Sequence, residues 1–204
     1  MAKHTMNKTI AGYGVAGIAA ALMLASCGRA PAEAPPLAGA SIGGPFTLID
    51  QDGARFSSDR LAGKYRIFYF GYTFCPDACP TDMAVLGKAM RTMDEKDPAK
   101  AARIQPLFIT VDPARDTPAV LKQFVQAFHP RLIGLTGSEA QIAAVAKDYA
   151  ISYRKAPASA GVSGYLMDHP RIALLQDPDG KPIALLPVDA NADAVVADLE
   201  KWVS

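Results

Sequence analysis

Two cysteines four positions apart, Cys75 and Cys79, lie between an apolar run and a segment with helical periodicity. The run, residues 66–70, is β-branched and aromatic after its arginine and predicts a buried central strand. Residues 81–93 carry apolar side chains at helical spacing. Backbone N–H groups at a helix N-terminus stabilise a thiolate and lower the pKa of a cysteine. The pattern therefore predicts a strand, a cysteine loop and a helix, with thiolates placed to bind metal or to act as nucleophiles.

Strand and helix patterns alternate along the rest of the domain. The turn signal Asp177-Pro178-Asp179-Gly180 predicts a hairpin near the C-terminus. Further strands are predicted near residues 46–50, 56, 107–111, 132–135, 172–176 and 183–186, and further helices from Thr117, from Ser138 and over residues 191–202. This order predicts an α/β, thioredoxin-like fold: a central mixed β-sheet flanked by helices, with an N-terminal β extension.

The N-terminal segment has the pattern of an export signal. Two lysines precede an apolar run over residues 10–24, which is too short to span a membrane comfortably. The run ends in Leu24-Ala25-Ser26-Cys27, which resembles the lipobox of bacterial lipoproteins, where the cysteine is lipidated. An ordinary signal cleaved after Ala25 or Ser26, or an uncleaved anchor, is the alternative. We expect a lipoprotein-type signal peptide over residues 1–26, a flexible tether over 27–44 and a domain over 45–204, with Cys27 as lipid anchor.

Charge and cysteine content narrow the function classes. The chain has 21 Lys and Arg against 20 Asp and Glu, a net charge of +1, and no basic stripe, so we expect no nucleic-acid partner. Three cysteines leave one unpaired, and an odd cysteine in an exported protein needs an explanation. Giving Cys27 to a lipid leaves Cys75 and Cys79 as a pair. A structural disulfide is one alternative for that pair, although so small a loop gains little stability from a bridge.

A metal site needs a donor beyond two thiolates, which favour Cu(I), Zn(II) or an iron–sulfur cluster. His129 is predicted at a helix end, where a histidine most often caps and stays solvated. His169 precedes the predicted strand at 172–176, in a loop that faces the cysteines in a thioredoxin-like fold, and is therefore a candidate third ligand. Asp77 and Asp168 are candidates for orienting the site from outside the ligand set, and both also read as loop or helix-start residues.

Residues 71–80, Gly-Tyr-Thr-Phe-Cys-Pro-Asp-Ala-Cys-Pro, resemble the signature of the Sco (SenC) copper proteins. Further matching motifs are Val111-Asp112-Pro113, Arg115-Asp116-Thr117-Pro118, Leu135-Thr136-Gly137 and Tyr165-Leu166-Met167-Asp168-His169. The resemblance implies a metallochaperone that binds copper, as Cu(I) or Cu(II), through Cys75, Cys79 and His169. It further implies a role in assembling the CuA centre of cytochrome c oxidase, by delivering copper, by reducing cysteines or by both. The implied partner is oxidase subunit II or another copper chaperone, and the implied location is the periplasmic side of a bacterial inner membrane.

Other functions compete with this interpretation. A thiol-disulfide oxidoreductase would use Cys75 as the attacking thiol and Cys79 as its partner, without metal. A peroxiredoxin-type peroxidase lacks support, because Phe68 and Tyr72 stand where its Pro and Thr or Ser are expected. A structural zinc site is short of a fourth ligand. Asp112, Arg115 and Asp116 are interpreted as turn and cap residues rather than as chemistry.

Pro170 departs from the family pattern, which usually carries Ser, Thr or another non-proline residue after the histidine. About one X–Pro bond in twenty is cis in folded proteins, so we expect the His169–Pro170 bond to be trans. A cis bond would remodel the loop and displace His169.

Overall fold

The computed structural model describes residues 1–2, 33–157 and 164–204 of the chain. Almost all of the predicted signal peptide, including its lipobox, and the first part of the predicted tether lie outside these residues, so the lipid anchor at Cys27 stays a prediction. None of the helices within the described ranges has both the length and the hydrophobicity required to cross a membrane.

A seven-stranded mixed sheet forms the centre of the domain. Its strands are β1 Thr47–Asp50, β2 Arg55–Ser57, β3 Tyr65–Gly71, β4 Ile104–Thr110, β5 Ile133–Thr136, β8 Ala173–Gln176 and β9 Pro182–Leu186, in the order β2-β1-β5-β4-β3-β8-β9. The β3 strand pairs in parallel with β4 and antiparallel with β8. A separate two-stranded sheet consists of β6 Arg154–Pro157 and β7 Tyr165–Asp168. The predicted strands, including the N-terminal β extension and the C-terminal hairpin, are confirmed.

The helices are α1 Ala78–Lys96, α2 Pro98–Ala101, α3 Pro118–Gln126, α4 Glu139–Asp148 and α5 Ala192–Trp202, with a 3-10 turn at Ser58–Leu61. Side-chain caps fix where four of them begin. At the start of α2, the Asp97 side chain accepts from the Lys100 N–H. The Thr117 hydroxyl accepts from the Val120 N–H, Ser138 and Gln141 form the predicted capping box, and Asn191 accepts from the Ala194 N–H. The short α2 helix and the 3-10 turn were not predicted, because four residues carry no readable periodicity.

Both faces of β3 are buried, which places its alternating side chains in two different environments. The rings of Phe68 and Phe70 lie against Tyr149 on one face, with ring centroids 4.7 and 5.6 Å apart. Tyr69 and Gly71 lie on the opposite face, since successive side chains of a strand alternate. A Cβ atom added at Gly71 would lie 3.0 Å from the Cys79 Sγ atom, so this second face is the one beneath the cysteines.

The end of the predicted tether lies on the domain. The N–H of Leu37 donates to the Ile183 carbonyl at 2.9 Å, and the N–H of Gly43 donates to the Asp148 carbonyl at 2.8 Å. The side-chain amide of Gln176 also donates to the Ile42 carbonyl at 3.1 Å. Residues 37–43 are therefore fixed by backbone hydrogen bonds that composition does not predict, and the domain begins earlier than residue 45.

Candidate metal site

The cysteine loop places its two thiols in different environments. It connects β3 to the first turn of α1, so that Cys75 precedes the helix and Cys79 is its second residue. The Cys75 side chain is partly exposed and the Cys79 side chain is buried. The backbone N–H of Cys79 donates to the Cys75 Sγ atom at 3.3 Å. Both residues are free cysteines, so the sequence expectation of a pair at a helix N-terminus is met.

Hydrogen bonding shifts the pKa values of the two cysteines in opposite directions. The hydrogen bond with the Cys79 side chain lowers the pKa of Cys75 to about 3, and the neighbouring His169 and the backbone N–H groups of Cys79 and Asp77 lower it as well. The same bond to Cys75, together with burial, raises the pKa of Cys79 above its ordinary range. Cys75 is therefore the thiolate near neutral pH, and Cys79 retains its proton until a metal ion or a reaction partner displaces it.

His169 meets the cysteines from the other side of the loop. Its Nε2 atom lies 3.4 Å from the Cys79 Sγ atom, and its Nδ1 atom lies 3.1 Å from the Pro170 carbonyl oxygen. Because a carbonyl can only accept, Nδ1 carries a proton in this bond, and Nε2 is the ring atom that faces Cys79. The rings of Tyr69 and Tyr72 pack edge-on against the imidazole, with centroids 6.4 and 5.8 Å away.

The structure thus brings Cys75, Cys79 and His169 together, as the sequence predicts. Within the described ranges, no group of three or more His, Cys, Asp and Glu side chains is already arranged to hold a metal ion. No described residue is joined to the next by a cis peptide bond, so the His169–Pro170 bond is trans, as predicted.

The two candidate carboxylates lie at the surface. Asp77 precedes α1, is exposed, and makes no side-chain hydrogen bond that caps the helix. The carboxylate of Asp168 forms an ion pair with Arg154 at 2.6 Å, and both side chains are more than half exposed. Orienting roles for Asp77 and Asp168 therefore stay predictions.

An ion pair between Arg171 and the buried carboxylate of Asp82 lies beneath the site and was missed by sequence reasoning. Asp82, the fifth residue of α1, is 0% exposed. Its carboxylate accepts from the Tyr69 hydroxyl at 2.8 Å, and from two nitrogens of Arg171, one of them at 3.0 Å. An acid on the apolar face of a predicted helix, three positions after Cys79, was the available signal.

Asp116 anchors the cysteine loop. This buried carboxylate accepts from the backbone N–H of Thr73 at 3.0 Å and from the hydroxyls of Thr73 and Thr110, both at 2.6 Å. Burial raises the pKa of Asp116. The interpretation of Asp116 as structural fits these contacts, and its reach to Thr73, 43 positions away, is the part that the sequence did not show.

Arg115 joins the cysteine loop to β7. Its guanidinium lies over three aromatic rings, 3.8 Å from the centroid of Tyr165, 4.9 Å from Phe74 and 5.6 Å from Tyr72. It also donates to the Tyr165 carbonyl at 3.0 Å and pairs with Asp112. Phe74 itself is 51% exposed, so an aromatic side chain stands at the surface next to Cys75. Such cation–π contacts stabilise the approach of the two segments.

His129 corrects a prediction. We expected a solvated helix cap, but the residue is 2% exposed, and its Nε2 atom lies 3.1 Å from an Asp94 carboxylate oxygen. Burial lowers the pKa of His129. Since Asp94 lies fifteen positions after Cys79 on α1, the rise of a helix separates His129 from the cysteines by roughly 20 Å.

Comparisons with known proteins identify relatives of the whole domain. A model of the SCO1/SenC family matches residues 34–204. Mitochondrial protein SCO2 of Saccharomyces cerevisiae is 43% identical over 146 residues, 72% of this chain and 48% of the yeast protein. An SCO2-like protein of Rickettsia felis is 36% identical over 192 residues, 90% of each chain. This chain therefore spans about half the length of the yeast relative.

Solved structures share the fold. The crystal structure of Arabidopsis thaliana ScoI with copper bound superposes with a TM-score of 0.71 at 37% identity, covering 78% of this chain and 97% of that one. The thioredoxin domain of a thiol-disulfide oxidoreductase from Bacteroides vulgatus superposes with a TM-score of 0.55 at 19% identity, covering 80% and 96%. The second likeness speaks for the fold alone and, with the mixed sheet and flanking helices, confirms the predicted thioredoxin-like architecture.

Proposed function

This chain belongs to the SCO1/SenC family, and from that premise we propose that it is a copper-binding protein that assists assembly of the CuA centre of cytochrome c oxidase. Copper is its cargo rather than a resident cofactor. The observation that carries the proposal is the meeting of three soft donors at one place, with the Nε2 atom of His169 3.4 Å from the sulfur of Cys79.

Cys75, Cys79 and His169 form the proposed copper ligand set. Two thiolates and one neutral imidazole suit Cu(I), while Cu(II) would take a further oxygen ligand such as water. Copper displaces the proton of Cys79, because only the thiolate binds metal. Copper bound in the Arabidopsis ScoI crystal structure, at 37% identity to this chain, supports the assignment of the metal.

The position of the donors suits transfer of copper to another protein. Cys75 is partly exposed and stands beside the exposed ring of Phe74, whereas Cys79 is buried against β3. A recipient can therefore approach Cys75 and exchange ligands, while Cys79 and His169 keep hold of the ion until the last step. The proposed recipient is oxidase subunit II or another copper chaperone.

The proposed location is the bacterial cell envelope, with the domain on the periplasmic side and a lipid on Cys27 as the anchor. The lipobox-like segment before Cys27 supports this proposal, as does the apolar run that precedes it.

Thiol-disulfide exchange is the second candidate, and the unequal cysteines favour it. The Cys75 thiolate would attack a disulfide of the partner and form a mixed disulfide. Cys79 would then lose its proton and attack Cys75, which releases the reduced partner and leaves a Cys75–Cys79 disulfide. A low pKa for the exposed thiol and a high pKa for the buried one fit these two steps.

The test compares copper transfer with disulfide reduction in the same protein. The purified, reduced chain is titrated with Cu(I) against a chromophoric competitor and then mixed with a metal-free CuA domain, whose copper content after separation reports loading. We expect one copper per chain, loss of binding in the Cys75→Ser/Cys79→Ser variant, weaker binding in His169→Ala, and loading of the CuA domain. Absence of tight copper binding together with rapid reduction of the oxidised CuA cysteines would overturn the metal-carrier proposal and leave the oxidoreductase.

A further inference from the structure

Besides the contact of His169 with Cys79, the segment that carries His169 is joined to α1 by an ion pair between Arg171 and the buried carboxylate of Asp82. Arg171 lies two residues after His169. Its Nε atom donates to one carboxylate oxygen of Asp82 at 3.0 Å, and its Nη2 atom donates to the other. Asp82 in turn lies three residues after Cys79, about one helical turn further along α1. The Arg171–Asp82 pair therefore joins the backbone next to the histidine with the helical turn that holds the buried cysteine.

Burial of the carboxylate makes this contact stronger and more directional than an ion pair between two exposed side chains, while the Arg171 side chain itself is 43% exposed. Asp82 is 0% exposed, and the hydroxyl of Tyr69 donates to the same carboxylate at 2.8 Å. A guanidinium that meets a carboxylate through two nitrogens fixes orientation as well as distance, which a lysine cannot do. The exposed pair Arg154–Asp168, on the other side of His169, lacks both properties.

Pro170 links the imidazole of His169 to the backbone of Arg171. Its carbonyl oxygen accepts from the Nδ1–H of His169 at 3.1 Å and so directs Nε2 toward Cys79. That carbonyl belongs to the peptide unit that joins Pro170 to Arg171. Holding the Arg171 side chain on Asp82 therefore fixes the carbonyl oxygen that accepts from His169. The proline ring restricts its own φ and stiffens the link.

We propose that Arg171, through its two-nitrogen contact with Asp82, is a positioning residue that fixes the imidazole of His169 against Cys79 for copper binding. The inference rests on the proposed copper site. Arg171 does not touch the metal in this account; it acts on the Pro170 carbonyl that holds His169. Residues that orient a metal-binding histidine typically change metal affinity 10–100-fold when they are removed.

The variants must separate positioning from folding. Arg171→Met leaves Asp82 buried without its cation, which can destabilise the domain. Arg171→Lys keeps the charge but loses the two-nitrogen geometry, and Arg171→Met/Asp82→Asn removes both charges together. Arg154→Gln is the matched control, since it deletes the exposed ion pair beside the same histidine. Thermal unfolding of each variant shows that it is folded at the assay temperature.

Copper affinity, measured by competition, tests the proposal through a double-mutant cycle. We expect Arg171→Lys and Arg171→Met/Asp82→Asn to weaken Cu(I) binding about tenfold or more, and Arg154→Gln to leave it unchanged. In a His169→Ala background, Arg171→Lys should have no further effect, because the ligand that it positions is gone. Equal losses in the presence and absence of His169, or unchanged affinity in both Arg171 variants, would overturn the proposal.

A measurement without copper distinguishes failure of this inference from failure of the proposed function. Amide hydrogen exchange of the metal-free protein should quicken over residues 168–172 in Arg171→Lys, while the middle of α1 exchanges as in the wild type. If His169→Ala binds copper like the wild type, the proposed ligand set is wrong, and the exchange data then decide whether Arg171 holds the segment. Unchanged exchange over residues 168–172 would contradict the anchoring.

Discussion

The Nε2 atom of His169 lies 3.4 Å from the sulfur of Cys79, although the two residues are 90 positions apart in the chain. The sheet explains the meeting. Because β3 and β8 run antiparallel, with Tyr69 opposite Ala173, the end of β3 lies beside the start of β8. Cys79 follows β3, at the start of α1, and His169 precedes β8. The two side chains therefore lie at the same end of these neighbouring strands.

The difference between the two thiols predicts selective alkylation. With a pKa of about 3, Cys75 is a thiolate throughout the range from pH 5 to pH 8, whereas an ordinary cysteine with pKa ≈ 8.5 gains about tenfold in thiolate per pH unit there. Iodoacetamide should therefore modify Cys75 first, at a nearly pH-independent rate, and Cys79 slowly. Peptide mapping by mass spectrometry at several pH values gives both rates. A tenfold rise per pH unit at Cys75 would contradict the low pKa.

Loss of Asp116 should loosen the cysteine loop. Asp116→Ala removes the acceptor of three hydrogen bonds to Thr73 and Thr110, and we expect a loss of about 2–4 kcal/mol in the free energy of unfolding. Urea denaturation measures it. Asp52→Ala, which deletes an exposed ion pair with Lys122, is the control and should leave stability unchanged within error. Equal effects of the two substitutions would show that Asp116 is not an anchor.

Gly71 should not accept a side chain, because the site lies directly above it. A Cβ atom there would come within 2.8 Å of the Tyr69 ring and 3.0 Å of both the Cys79 sulfur and the Phe108 ring. We expect Gly71→Ala to cost about 1–3 kcal/mol of stability and to weaken copper binding. Gly44→Ala, whose nearest contact is 3.6 Å away, is the matched control. A Gly71→Ala variant with wild-type stability and copper affinity would refute the close packing described here.

Burial of His129 predicts a loss of stability in mild acid. Its pKa is lowered in the folded state, so the unfolded chain binds the proton more readily, and stability falls as the pH decreases below about 6.5. The slope from this one group can reach at most about 1.4 kcal/mol per pH unit. Denaturation of the wild type and of His129→Gln between pH 7 and pH 5 should show a shallower slope for the variant. Parallel slopes would mean that His129 does not titrate in this way.

Local patterns were enough to predict most of the fold. The apolar run of β3, the capping box at Ser138 and the turn at residues 177–180 each carry their signal in adjacent residues, and each is confirmed. The β6–β7 hairpin was missed because β6 is largely exposed and neither strand has a regular apolar alternation. Its connecting residues 158–163 lie outside the described ranges. The packing of residues 37–43 depends on backbone hydrogen bonds, which leave no trace in composition.

The ligands of the candidate site were predictable from the sequence, whereas the contacts that support them were not. Cys75 and Cys79 could be identified because the strand and helix patterns on either side of them are visible in the sequence. The motif around His169 supplied the third residue through the resemblance to the Sco proteins. The contacts that support them are long-range: Asp116 with Thr73, and Arg171 with Asp82. From the sequence alone, such charged residues are indistinguishable from surface or turn residues. Only the fold shows that Asp82 and Asp116 are buried. His129 was mistaken for a solvated cap for the same reason.

X-ray absorption at the copper edge, on the purified chain loaded with one equivalent of Cu(I), tests the central claim most directly. The account predicts two sulfur neighbours and one nitrogen neighbour for copper in the wild type, supplied by Cys75, Cys79 and His169. The nitrogen should vanish in His169→Ala and persist in His129→Gln, whose histidine lies far along α1 with Asp94. A nitrogen neighbour that survives in His169→Ala, or copper with a single sulfur neighbour in the wild type, would contradict the proposed site.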